Sequence, residues 1–73
     1  MNKNQKSYLE MRINDIWYVI DRNGDDEDRV KRLCGELEGI RIVLLTFGYT
    51  IMYDVETGKR KIVTKKQFHR RFG

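Results

Sequence analysis

Apolar positions recur most regularly between Asp26 and Glu38, where Val30, Leu33, Cys34 and Leu37 follow at i, i+3, i+4 and i+7. That spacing lines one face of an α-helix. Asp25 or Asp26 can cap its start, and Asp26, Glu27 and Asp28 suit the positive end of the helix dipole. Glu27–Lys31 and Asp28–Arg32 fall at i, i+4 on the polar side, each worth about 0.3 kcal/mol. Gly39 stands where a C-terminal cap belongs, so the helix is predicted over 26–38. Gly35 inside it costs about 1 kcal/mol relative to alanine, which points to close packing against another element. Cys34 lies on the apolar stripe and reads as a core thiol.

From Ile40 to Phe47 the pattern changes. Ile42-Val43-Leu44-Leu45 is apolar on both faces, as in a central strand or a strand at a dimer interface. Gly48 allows a tight corner. Tyr49 to Val55 then alternates, with Tyr49, Ile51, Tyr53 and Val55 on one face. Thr57-Gly58 turns the chain, and Lys59 to Thr64 returns as a strand. With a two-residue loop, Glu56 faces Lys59, Asp54 faces Lys61 on the polar side, and Tyr53 faces Ile62 on the apolar side. A three-residue loop with a glycine bulge shifts the pairing by one. Thr64 and Gln67 form a capping box for a short helix over 65–72. Its Phe68 and Phe72 pack back on the sheet, and Lys65, Lys66, Arg70 and Arg71 stay in water.

Residues Tyr8 to Asp21 fit two patterns. As a helix they have a capping box in Ser7 and Glu10 and a stripe of Leu9, Ile13, Ile16 and Ile20. As strands, Leu9 to Ile13 alternates and Ile16 to Ile20 is wholly β-branched or aromatic. Asn14-Asp15 would be the two-residue turn between them. Weak helix propensity of the second run tips the balance to the hairpin. Residues 1–6 are polar and patternless and read as a disordered arm. Residues 7–73 are then a single α+β domain. Its mostly antiparallel sheet has about five strands, with one central helix (26–38) and a short C-terminal helix (65–72).

Leu, Ile, Val and Phe make up 20 of the 73 residues, enough for a fold with a thin core. One cysteine cannot form an internal disulfide. With His69 it is too few for a four-ligand zinc site. Asp21, Asn23 and Asp25 match the first three ligands of a calcium loop, but Asp26 stands at the glycine position and Arg32 at the glutamate. That segment reads as a solvated turn that caps the next helix. The longest apolar run, Ile16 to Ile20, is far short of a membrane span, and no signal peptide is recognisable. The expected location is the cytoplasm.

Charge is uneven along the chain. Residues 1–56 carry eight Lys/Arg and all eleven acids, whereas residues 57–73 carry seven Lys/Arg and no acid. No phosphate-cradling glycine loop occurs, and His69 near a fraying end is a poor catalytic base, so neither an enzyme nor a cofactor is expected. What remains is a small nucleic-acid-binding protein holding DNA or RNA phosphates through Lys59, Arg60, Lys61, Lys65, Lys66, His69, Arg70 and Arg71. An exposed Tyr49, Tyr53, Tyr18 or Trp17 could stack unpaired bases. The aromatic–glycine signature of an RNA-recognition motif is absent from Arg41 to Tyr49. Lysines on a terminal strand also serve solubility and discourage aggregation. The rival expectation is a protein-interaction module or inhibitor, of the kind phage or mobile elements use, that blocks a macromolecular partner. Its apolar strand Ile42–Leu45 would also suit a homodimer.

Overall fold

The computed structural model describes the backbone of residues 1–72 and the side chains of residues 1–70. Helix α1 spans Lys3–Arg22 and α2 spans Glu27–Thr46; β1 (Tyr49–Asp54) and β2 (Lys59–Thr64) form an antiparallel hairpin, and α3 spans Lys65–Phe72. This α+β arrangement replaces the expected five-stranded sheet around one central helix.

The segment expected to be the first hairpin is α1. Its stripe Leu9, Ile13, Ile16 follows the helical period, and Ile13 and Ile16 are buried, while Met11 and Tyr18, favoured by strand alternation, are exposed. Packing of that stripe outweighs a propensity deficit of a few tenths of a kcal/mol per residue. Lys3 to Lys6, read above as part of an arm, form the first turn. Their cap is Asn2, whose Oδ1 accepts the Gln5 N–H at 2.8 Å while Gln5 Oε1 accepts the Asn2 N–H at 3.0 Å. The Ser7–Glu10 box does not start the helix.

Helix α2 runs through Gly39 and absorbs the expected strand Ile40–Phe47. Val30, Leu33, Leu37, Ile40 and Leu44 continue one stripe at spacings of three and four, and Leu44 is buried. The stop is Gly48, with φ +86° directly after the Phe47 cap; Gly39 keeps a negative φ. Two side expectations fall with the new boundaries. Cys34 is exposed, and open space surrounds Gly35.

The β-hairpin forms where expected, with a four-residue loop. Tyr53 pairs with Arg60 and Ile51 with Ile62, a shift of two from the expected register. An even shift leaves every side chain on its expected face. Asp54 now faces Lys59 across the ladder, yet Lys61 Nζ still reaches Asp54 Oδ2 diagonally at 2.9 Å. Asp54 Oδ1 accepts the Glu56 N–H at 3.0 Å, and Gly58, at φ +70°, donates to the Asp54 carbonyl at 2.8 Å.

Helices α1 and α2 lie antiparallel on one face of the hairpin. Ile13, Leu44 and Ile62 form the centre of this core, with Leu9, Trp17, Leu37, Ile40, Tyr49 and Ile51 around them. Fully burying an isoleucine contributes about 2 kcal/mol. Arg12 ties the helices together with a two-pronged bond to Glu36, at 2.7 and 2.9 Å. Met52 is buried on the opposite face of the hairpin, and α3 contacts both strands.

Candidate nucleic-acid interface

Helix α3 starts where the ladder ends. The Lys65 N–H donates to the Gly48 carbonyl at 3.0 Å, extending the ladder by one bond. The expected capping box is present: Thr64 Oγ1 accepts the Gln67 N–H at 3.1 Å, and Gln67 Oε1 accepts the Thr64 N–H at 2.9 Å. Phe68 is half-buried and anchors the helix. Lys65, Lys66, His69 and Arg70 are exposed. Lys65 with His69 and Lys66 with Arg70 are i, i+4 neighbours, so four donors share a short outer surface. His69 meets the Phe68 ring edge-on, with centroids 6.2 Å apart.

The other four residues of the expected set are distributed differently. Lys59 is exposed at the start of β2, about 20 Å of strand away from Lys65. Lys61 points to the same face of the hairpin as Lys59 but is neutralised by Asp54. That ammonium and the Glu56 N–H hold the Asp54 carboxyl below its ordinary range. Arg60 points to the opposite face, towards the helices. Its guanidinium lies over the Trp17 ring at 4.0 Å and near the Tyr53 ring at 5.0 Å. The expected roles of Phe72 and of the Arg71 side chain lie outside the described residues.

Among the described residues, Lys59, Lys65, Lys66 and Arg70 have no acidic partner within ion-pair distance. Elsewhere Arg12 pairs with Glu36, Arg41 with Glu38, and Lys61 with Asp54. The pairs lower the carboxyl values of Glu36 and Glu38 and raise their arginines, chiefly through the direct hydrogen bonds.

Some of the functional geometry was not expected from sequence. Asn14 and Glu10 of α1 bond to the main chain of β2, and Trp17 continues the same helix edge. Glu10, Asn14 and Trp17 recur at i, i+4 and i+7, a stripe visible only once the segment is read as helical. Of the aromatics offered for base stacking, Tyr53 and Tyr18 are about half exposed, and Trp17 is half-buried under Arg60. Tyr18 is covered by Arg22, 4.5 Å from the ring centroid.

A second surface feature is apolar. A groove of about 650 Å³ runs between the start of α1 and the end of α2, lined by Met1, Gln5, Tyr8, Leu9, Val43, Leu44, Phe47 and Tyr49. Among the described residues, no three His, Cys, Asp or Glu side chains converge as a metal site. No described helix is long and apolar enough to cross a membrane. Comparison with protein-family models, curated proteins and solved structures finds no match.

Proposed function

We propose that the protein binds nucleic acid through phosphate contacts made by the outer surface of α3, with Lys59 as an outlying contact. The supporting observation is a cluster of charge without acids: Lys59, Lys65, Lys66 and Arg70 are exposed and have no carboxylate partner among the described residues. They lie in a stretch of sequence (57–73) that holds seven Lys/Arg and no acid, whereas the unpaired Lys3, Lys6, Arg22, Arg29, Lys31 and Arg32 belong to the part of the chain that holds all eleven acids. Mobile, unpaired lysines and arginines release condensed counterions when they meet a polyanion, which is the main source of sequence-independent affinity. Arg60 and Lys61 leave the phosphate-binding set, because each already has an internal partner. His69 and Arg71 remain in it. No catalytic step and no cofactor enter this function, and we place the protein in the cytoplasm.

Binding of labelled single- and double-stranded DNA and RNA tests it. The expected result is affinity for at least one of the four that is lost when Lys65, Lys66 and Arg70 are changed together to glutamine. Undiminished affinity in that variant overturns the assignment of α3.

A protein-interaction or inhibitor function is the second reading, and the apolar groove between α1 and α2 is what favours it. Its discriminating result is a partner captured by the whole chain, with no affinity for any of the four nucleic acids at low salt.

A further inference from the structure

The groove lies among most of the exposed apolar side chains. Met1, Tyr8, Val43 and Phe47 line it with 47%, 62%, 56% and 74% of their surface in water. Met11, one helical turn beyond Tyr8, and Ile42, beside Val43, are each 55% exposed. A second apolar hollow, lined by Leu9, Gly39, Ile40, Val43 and Leu44 with Glu36 at its rim, shares three residues with the first and prolongs it along α2. No charged side chain lines the main groove, which is the wrong chemistry for a polyanion.

The amount of surface points to the occupant. A compact folded monomer of this mass exposes about 4,800 Å². This chain exposes 5740 Å². The excess, about 950 Å², is close to the roughly 800 Å² that each partner contributes to a standard protein interface. The patch also contains both a projection and a recess: Phe47 stands out from the end of α2 beside the hollow bounded by Met1, Tyr8 and Tyr49. A patch with both suits a second copy, because a two-fold axis lets each chain give and receive the same side chain.

We propose that two copies associate through the α1–α2 groove, with Phe47 and Val43 of each filling the groove of the other. This dimer does not depend on nucleic-acid binding; the basic surface of α3 is formed by other residues. Of the apolar run 42–45, Val43 and Leu44 line this groove, from a helix rather than from the expected strand.

Sedimentation equilibrium of the whole chain from about 5 to about 500 µM gives the decisive reading. The expected mass is that of two chains. Phe47→Glu should raise the dissociation constant by about 30-fold or more, as loss of an interface hot spot does. Tyr8→Glu, on the opposite wall, should do the same. Because both side chains are largely exposed, helix content by circular dichroism should be unchanged. Val55→Glu alters a 79% exposed apolar residue in the β-hairpin loop and should leave the mass unchanged. A monomer at the highest concentration overturns the proposal. So does a dimer insensitive to both Phe47→Glu and Tyr8→Glu, or a mass that rises past two chains without a plateau.

Discussion

Asn14 holds the main chain of Arg60 with both ends of its amide. Oδ1 accepts the Arg60 N–H at 2.8 Å, and Nδ2 donates to the Arg60 carbonyl at 2.9 Å. Nδ2 also donates to the Glu10 carbonyl at 2.8 Å, while Glu10 Oε1 accepts the Ile62 N–H at 2.9 Å. In a two-stranded sheet each strand has an outer edge with unpaired main-chain groups. Here α1 supplies side chains in place of a third strand along β2. The same contacts hold Arg60 where its guanidinium can cover Trp17.

Replacing Asn14 by alanine should therefore cost about 1–3 kcal/mol, the usual penalty for stranding partly buried hydrogen-bonding groups. Asn14→Asp should not restore the loss, since a carboxylate oxygen would face the Arg60 carbonyl. Urea midpoints of the three proteins check this. A midpoint unchanged in Asn14→Ala would show that water replaces the amide at no cost.

Arg60 should behave as a structural residue. Arg60→Ala should destabilise the fold by about 1–2 kcal/mol, the range for a partly desolvated cation–π contact, and red-shift Trp17 fluorescence. Arg60→Lys should recover only part of it, because a point charge does not stack as a planar guanidinium does. Nucleic-acid affinity, measured where both variants are folded, should change little. A large loss of affinity with no loss of stability would return Arg60 to the phosphate-binding set.

Gly39 and Gly48 should respond in opposite directions to alanine. Gly39 lies inside α2 with open space around its Cα, so Gly39→Ala should stabilise by up to about 1 kcal/mol. Gly48 holds φ +86°, and Gly48→Ala should destabilise by about 1–2 kcal/mol. Thermal unfolding of both variants distinguishes a helix that ends at Gly48 from one capped at Gly39, which would reverse the order.

The C-terminal hairpin, the short last helix and the start of α2 were legible in the pattern of residues; the five-stranded sheet was wrong, and its failures have physical causes. The β-hairpin and the Thr64–Gln67 cap use short-range chemistry, and both form. The loop length was wrong by two, but an even slip preserves the faces, and Lys61 is long enough to reach Asp54 from either register. The stripe Val30, Leu33, Leu37, Ile40, Leu44 crosses Gly39 without a break. Ile42, Val43 and Leu45 obscured it, because apolar residues on the outer side of a helix imitate a strand buried on both faces. In α1 the β-branched run misled for a similar reason. Burial of Ile13 against Leu44 and Ile62, and the bonds of Asn14 and Glu10 to β2, depend on contacts 31 to 52 residues away that no local window contains. Exposure of α3's cations could be read from sequence; engagement of Arg60 and Lys61 could not.

Acid should weaken the hairpin through Asp54. Its carboxyl is lowered in the folded chain by Lys61 and the Glu56 N–H. A depressed carboxyl supplies stability above its unfolded value, near about 3.9, and that stability disappears as the pH falls through the lower folded value. Asp54→Asn should consequently lose stability at neutral pH and show a shallower decline than the wild type between about pH 5 and pH 2. Glu36 and Glu38 titrate in both proteins, so the difference between the two curves isolates Asp54. Parallel curves would remove the Asp54–Lys61 pair from the acid response.

The salt dependence of nucleic-acid affinity tests the central proposal most directly. If Lys59, Lys65, Lys66, Arg70 and Arg71 each release a counterion from duplex DNA, the log–log slope should be near −4.5, and affinity should fall about 500-fold between 50 and 200 mM salt. Changing Lys65, Lys66 and Arg70 together to glutamine should make the slope shallower by about 2.7. Absence of binding at 50 mM salt, or an equal slope in the variant, would contradict phosphate binding by α3.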